Sequence, residues 1–138
     1  MTLDADALRS SFDLVIDRRP DLTIRFYEIL FERYPEAQPL FRRNPREVQA
    51  RMLAEAIAAV LDHLDDASWL AATLETLGAG HVDYGVTPPM YGWVGEALLA
   101  TLAEVAAEAW TPRVEAAWLA AYGAIRDLML AGAARRAA

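Results

Sequence analysis

Residues 74–99 read LETLGAGHVDYGVTPPMYGWVGEALL, two apolar helical patterns joined by a glycine-rich corner that carries His81, one of only two histidines in the chain. His81 follows Leu74 and Leu77 by seven and four residues, so on a continuous helix the three share a face directed at the interior. A solitary histidine near a helix end most often caps carbonyls or sits at a satisfied polar edge. Three features here argue for more. Gly78, Ala79 and Gly80 leave room for a bulky or planar group beside the ring, where alanine would serve a plain helix better than glycine. Tyr91 opens the following helix, where its hydroxyl can reach back and orient an imidazole, as the outer partners of metal-binding histidines do. Gln49 precedes Leu53 by one helical step and puts a neutral hydrogen-bonding group at the polar end of an apolar stripe, a good place for a donor to a bound diatomic.

Outward from that corner, helix-start signals divide the chain. Arg19-Pro20, Asn44-Pro45, Thr87-Pro88 and Thr111-Pro112 each put proline where a first turn tolerates its missing N–H, and in the last three Asn or Thr is positioned to cap. The pattern predicts helices over residues 4–17 and 20–34, a tight turn through PEAQPLF, and a long helix from Pro45 striped by Leu53, Ala56, Ile57, Val60, Leu61 and Leu64. A helix capped by Asp66 or Ser68 then leads to His81, followed by two long helices over 88–108 and 112–133 that should pack as an antiparallel pair. The expectation is an all-α domain of six to eight helices spanning 1–138, with residues 1–3 and 134–138 frayed.

Composition excludes several classes. The chain has 138 residues, enough for one core, and no cysteine, so there is no disulfide framework and no thiolate nucleophile or metal ligand. A net charge of −7 argues against a sequence-independent grip on nucleic acid. No run approaches the roughly 18 apolar residues of a membrane span, and the acidic start does not look like a secretory signal, so the expected location is cytoplasmic. All thirteen basic residues are arginine, which genomic base composition explains better than guanidinium geometry. The tryptophans at 69, 93, 110 and 118 read as core residues whose N–H finds a partner, with Trp93 notable for its closeness to Tyr91 and Val94.

Taken in order, FYEILFERYPEAQPLF, then Gln49, then GHVDYGVTPPMYGWVGEALLATL and WTPRVEAAWLAAYG resemble the bacterial single-domain globins related to flavohaemoglobins, over about residues 10–130. The resemblance implies a globin fold around a haem pocket, with haem b (iron protoporphyrin IX) as cofactor. It makes His81 the proximal ligand of the iron and, 32 residues earlier, Gln49 the distal residue. Tyr27 matches the distal tyrosine, Leu53 the apolar residue one turn past the distal position, and Phe41 the ring packed on the porphyrin. Val86 and Val94 match pocket walls and Tyr91 the tyrosine behind the proximal ligand; Leu77 joins them from the turn before His81. The loop after Phe41 varies in length, so Arg51 and Met52 are alternative registers for the distal position. Dioxygen on ferrous haem carries partial negative charge, which the Tyr27 hydroxyl and the Gln49 amide would stabilise in a dry pocket.

Two departures from the family pattern stand out. Met90 precedes Tyr91 where relatives commonly have a charged or imidazole residue, and LAGAARRAA lacks the late glutamate that joins histidine and tyrosine in flavohaemoglobins, which weakens electron push toward O–O cleavage. His63 lies fourteen residues past Gln49, about 20 Å along the same helix, and reads as a surface or helix-end residue. Arg42, Arg43, Arg46 and Arg51 read as solvated surface, with pairing of one to a haem propionate as the alternative. Because a fold does not set a function, three remain: reversible binding of dioxygen, CO and NO; nitric oxide dioxygenation with electrons from an external reductase; and a haem-based gas or redox sensor or peroxidase-like protein.

Overall fold

Short polar side chains and prolines mark most of the helix starts. The computed structural model describes residues 3–42 and 44–137, and among them there are six α-helices, two 3-10 segments and no strand. The helices are α1 (Ala5–Arg18), α2 (Leu22–Arg33), α3 (Arg46–Asp62), α4 (Ala67–Asp83), α5 (Pro88–Ala106) and α6 (Pro112–Ala137); the 3-10 segments are Pro35–Phe41 and Ala107–Ala109. Asp4 caps α1 by accepting from the Ala7 N–H at 3.2 Å, and Asp66, rather than Ser68, caps α4 by accepting from the Trp69 N–H at 3.1 Å. Thr111 accepts from the Val114 N–H at 3.3 Å, so the proline-led start of α6 is also capped.

Expectations change at the ends of elements, first at Pro20, which lies before the Asp21 N-cap of α2 and not on its first turn. Asn44 does not cap α3: the N-cap position falls on Pro45 and carries no side-chain bond. The tail that looks frayed in sequence is helical through Ala137, and Arg135 and Arg136 pair with Glu75 and Asp83 of α4. Those contacts cross to another helix, which is why local composition does not reveal them.

Leu8, Val15, Leu22, Phe26, Leu30 and Leu102 form the fully buried centre, where α1 and α2 pack on α5 and α1 also packs on α6. The buried hydroxyls there are satisfied within their own helices: Thr101 donates to the Ala97 carbonyl at 2.7 Å, and Ser11 donates to the Ala7 carbonyl at 2.6 Å while accepting from Trp118 Nε1 at 2.9 Å. The α5–α6 pair is antiparallel as expected. Its short connection joins residues 106 and 112, and farther along Tyr122 lies over Gly95 and donates to the Tyr91 carbonyl at 2.5 Å.

A second, smaller cluster of Leu74, Tyr91 and Met129 binds α4 to α5 and α6. The crossing of α4 with α6 is backbone on backbone. A Cβ built on Gly78 would lie 1.9 Å from the Met129 carbonyl oxygen, and one built on Gly132 would lie 1.9 Å from the Glu75 carbonyl oxygen. The room that Gly78 makes is therefore taken by α6. Of the two α4 glycines, Gly80 alone keeps open space, with nothing within 4 Å of where a Cβ would sit.

Candidate functional site

His81 sits half-buried near the end of α4, and the chain stops the helix just beyond it. Gly85 has φ +86°, a left-handed conformation that glycine adopts without penalty. The Gly85 N–H bonds the Val82 carbonyl at 3.0 Å and the Val86 N–H reaches back to the His81 carbonyl at 3.1 Å, the paired bonds of a Schellman stop. The sequence His-x-x-Tyr-Gly-Val is thus a helix terminator that holds its histidine on the last turn.

The imidazole is oriented by its own helix. Nδ1 lies 2.7 Å from the Leu77 carbonyl oxygen, which can only accept, so Nδ1 is the donor in this contact and, in the neutral ring, Nε2 carries the lone pair. Tyr91 does not supply this contact, contrary to the reading of its hydroxyl as an imidazole partner. Its ring is buried with Leu74 and Met129, and its carbonyl accepts from Tyr122. The Tyr84 ring meets His81 edge-on, with centroids 6.1 Å apart. Among the described residues no three His, Asp or Glu side chains gather to hold a metal. An imidazole nitrogen such as Nε2 of His81 fits the donor chemistry of haem iron, and His81 would hold that group.

Tyr27, Phe41 and Gln49 line one cavity of about 130 Å³, together with Phe31, Gln38, Arg42 and Arg46; His81 is not among its lining residues. Tyr27 is only 5% exposed and is wedged among Phe26, Phe31 and Phe41 with ring centroids 4.9–5.8 Å apart. Its single O–H makes one long contact, donating to the Gln49 carbonyl at 3.5 Å, and so is only weakly engaged and can be redirected to a stronger acceptor. The Gln49 side-chain oxygen accepts from Asn44 Nδ2 at 3.2 Å. Arg51 and Met52, the alternative registers, are exposed, Met52 at 52%.

The remaining predicted site residues divide between the two hydrophobic clusters and the surface. Leu53 and Val94, like Phe41, pack against the main core, Val86 packs against the smaller cluster, and Leu77 presents an apolar side chain that is 42% exposed. The 3-10 segment meets the corner after His81, where Leu40 Cδ2 lies 3.6 Å from the position of a Cβ on Gly85. His81 itself has no hydrogen bond to Tyr27 or Gln49 among the described residues. His63 is where the spacing puts it, at the C-cap of α3, stacked on Trp69 at 3.7 Å and bonded to the Ala59 carbonyl at 2.7 Å. Trp93 stacks on Tyr34 at 5.0 Å, on the α2 side of α5. Asn44 and Gln38 are site residues that sequence reasoning misses: neither falls on a periodic stripe. Arg43 lies outside the described residues.

A family model for Globin matches residues 24–129. The chain belongs to the globin family. Among curated relatives, this globin is 36% identical over 117 residues to a flavohemoprotein of Vibrio cholerae serotype O1, covering 83% of this chain and 30% of that one. A flavohemoprotein of Bordetella pertussis is 39% identical over 111 residues, covering 79% and 28% respectively. The chain thus spans under a third of the length of these relatives. A bacterial globin from Campylobacter jejuni superposes with a TM-score of 0.80 at 24% identity, covering 95% of this chain and 94% of that one. An engineered carbene transferase from Rhodothermus marinus superposes with a TM-score of 0.84 at 27% identity, covering 98% and 95%. The fold is a globin fold, and the globin is a haem protein.

Burial pushes the Tyr27 hydroxyl up to about 12, and raises the Tyr91 and Tyr122 hydroxyls from their ordinary value for the same leading reason. Between the unfolded value of about 10 and the folded value of about 12, the folded protein holds more protons than the unfolded chain. Stability is unaffected below that window and falls as pH rises through it. Tyr27 alone should remove about 3 kcal/mol by the top of the window. Urea unfolding of the apoprotein at about pH 9 and about pH 11.5 checks this: the loss should shrink in Tyr27→Phe, and an equal loss in both proteins would refute it.

Proposed function

We propose that this globin binds haem b through Nε2 of His81 and reversibly binds dioxygen, CO and NO, with Tyr27 and Gln49 as hydrogen-bond donors to the bound gas. The haem, when bound, supplies the iron to which such gases attach. The observation that carries the reading is the meeting of Tyr27 and Gln49 in one cavity. A tyrosine is protonated at physiological pH in any case, and burial raises the Tyr27 hydroxyl further, so it remains a donor well into the alkaline range. Phe31 and Phe41 surround that hydroxyl with rings, lowering the local dielectric and strengthening its hydrogen bond to a partly charged ligand. Leu53, Val86 and Val94 would line the porphyrin, Phe41 would pack on it, and Leu77 would cover its proximal face beside His81. Tyr91 would act from behind, filling the space under α4.

Nitric oxide dioxygenation is a secondary activity in this reading: NO, O2 and one electron give nitrate, and a reductase must supply the electron. The flavohemoprotein relatives favour it, as does the likeness to the Rhodothermus marinus protein, whose parent carries a nitric oxide dioxygenase assignment. A peroxidase-like role is less well supported. His81 Nδ1 donates to a neutral carbonyl, which raises the basicity of the ring less than a carboxylate would. The last turns of α6, residues 130–137, carry no carboxylate.

The distal assignment is tested by the dioxygen dissociation rate of the ferrous protein. A hydrogen bond to a partly charged ligand is worth about 1.5–3 kcal/mol, so Tyr27→Phe should release dioxygen roughly 10–100-fold faster. Gln49→Leu should do so by about tenfold. No increase in either variant would mean that other residues hold the gas.

A further inference from the structure

An asparagine before a proline at a helix start ordinarily caps the helix, and Asn44 does not. Its side-chain amide is turned inward, with Nδ2 donating to Gln49 Oε1 at 3.2 Å. Helix α3 begins at Arg46, so Gln49 is on its first turn and Asn44 reaches it from just outside the helix. A glutamine amide has an accepting end and a donating end of nearly the same shape, and what occupies one end decides which faces the other way. Here the oxygen is occupied. The Gln49 nitrogen has no protein partner, yet among the described residues no buried side-chain polar atom lacks a hydrogen bond. The nitrogen is therefore the end left open, on a side chain that lines the Tyr27 cavity.

We propose that Asn44 is a positioning residue that fixes the Gln49 amide with its N–H toward the distal cavity, so that a ligand there meets a donor and not a carbonyl oxygen. This rests on the reading of Gln49 as a ligand donor given above. Gly or Ser at this position would leave the amide to rotate, and an acceptor-only side chain would invert it. Asparagine serves here through the polarity of its own amide, not through capping.

The test uses the full chain loaded with haem, read by the C–O stretching frequency of the ferrous carbon monoxide complex and by dioxygen dissociation. The variants are Asn44→Asp, Asn44→Ala, Gln49→Leu and Asn44→Asp combined with Gln49→Leu. A carboxylate only accepts, so Asn44→Asp draws the Gln49 N–H to itself and turns the oxygen to the ligand. A donor near the ligand oxygen lowers the C–O stretch and an acceptor raises it. The frequency should therefore rise from wild type through Asn44→Ala to Asn44→Asp, with Asn44→Asp above Gln49→Leu. Dioxygen should leave Asn44→Asp at least about tenfold faster than wild type. In the Gln49→Leu background, Asn44→Asp should add nothing, because it acts through the glutamine. If Gln49→Leu moves both readouts while Asn44→Asp and Asn44→Ala leave them at wild type, the positioning role is overturned and the distal role of Gln49 stands. If Gln49→Leu itself moves neither, the distal reading fails first.

Discussion

On the proposed reading of His81 as the residue that holds the haem iron, replacing it with glycine is expected to cost the protein that ligand while leaving the fold in place, and added imidazole should restore the ligand-bound spectrum. The reason lies in how little else the ring does. Its Nδ1 bonds only to a carbonyl of its own helix, four residues back, and that carbonyl belongs to a turn that α4 makes without it. The helix stop uses the His81 backbone, not its side chain, since the Tyr84 and Val86 N–H groups both point at the His81 carbonyl oxygen. Glycine near a helix end costs about 1 kcal/mol, well short of unfolding a domain of this size. Loss of an iron ligand is larger than loss of an outer partner, which typically costs about 10–100-fold in metal affinity, so haem should pass to a scavenging protein at least about 100-fold faster. His63→Ala is the internal control. That ring is held against Trp69 and the Ala59 carbonyl, and its removal should leave the visible spectrum unchanged. An unaltered spectrum in His81→Gly, or a lost one in His63→Ala, would reassign the ligand.

What can be read without coordinates follows from the range of the forces involved. Helix starts are local: a proline on the first turn and a short polar side chain before it act within four residues, which is why Asp66 and Thr111 are legible as caps. Apolar periodicity is nearly as local, and it places Leu74, Leu77 and His81 together on α4. Asn44 shows where locality ends. Its residue type and its place before Pro45 both say cap, but a side chain five residues away competes for the same amide. Gly78 shows the same limit more sharply. In sequence it shares a cluster with Gly80, and both look like clearance for a planar group; in space the two point at different things, one at the backbone of α6 and one at open volume. Tyr91 looks like an imidazole partner because both residues lie at helix ends joined by a short corner, yet the corner turns its ring into the cluster with Met129, a residue 38 positions later. The contacts between distant segments are the ones that periodicity cannot carry.

The α4–α6 crossing makes the most severe prediction after the ligand itself, and Gly78→Ala and Gly80→Ala should move stability in opposite directions. At Gly78 the new methyl would sit 1.9 Å from the Met129 carbonyl oxygen and 2.6 Å from its Cα, distances no pair of atoms tolerates. The obstacle is backbone, so no rotamer change relieves it and the helices must separate. Overpacking of a side-chain core commonly costs about 1–3 kcal/mol, and a backbone clash belongs at or above the top of that range, about 3 kcal/mol or more. For a chain of this length that is a fall in Tm on the order of 10 °C. The damage would be directed at the site, because Gly78 is three residues from His81 and α4 carries Leu77 just before it; Gly132→Ala, meeting the Glu75 backbone from the other helix at the same 1.9 Å, should reproduce it. At Gly80 the methyl meets nothing within 4 Å, and alanine is the better helix former, so the apoprotein should gain about 0.5–1 kcal/mol. The haem-loaded protein then locates the cofactor. Loss of the Gly80→Ala gain on loading puts the porphyrin against that face of α4, and retention of it puts the porphyrin elsewhere. Equal destabilisation by Gly78→Ala and Gly80→Ala would mean that the close crossing of α4 and α6 is not what holds the helix that bears His81.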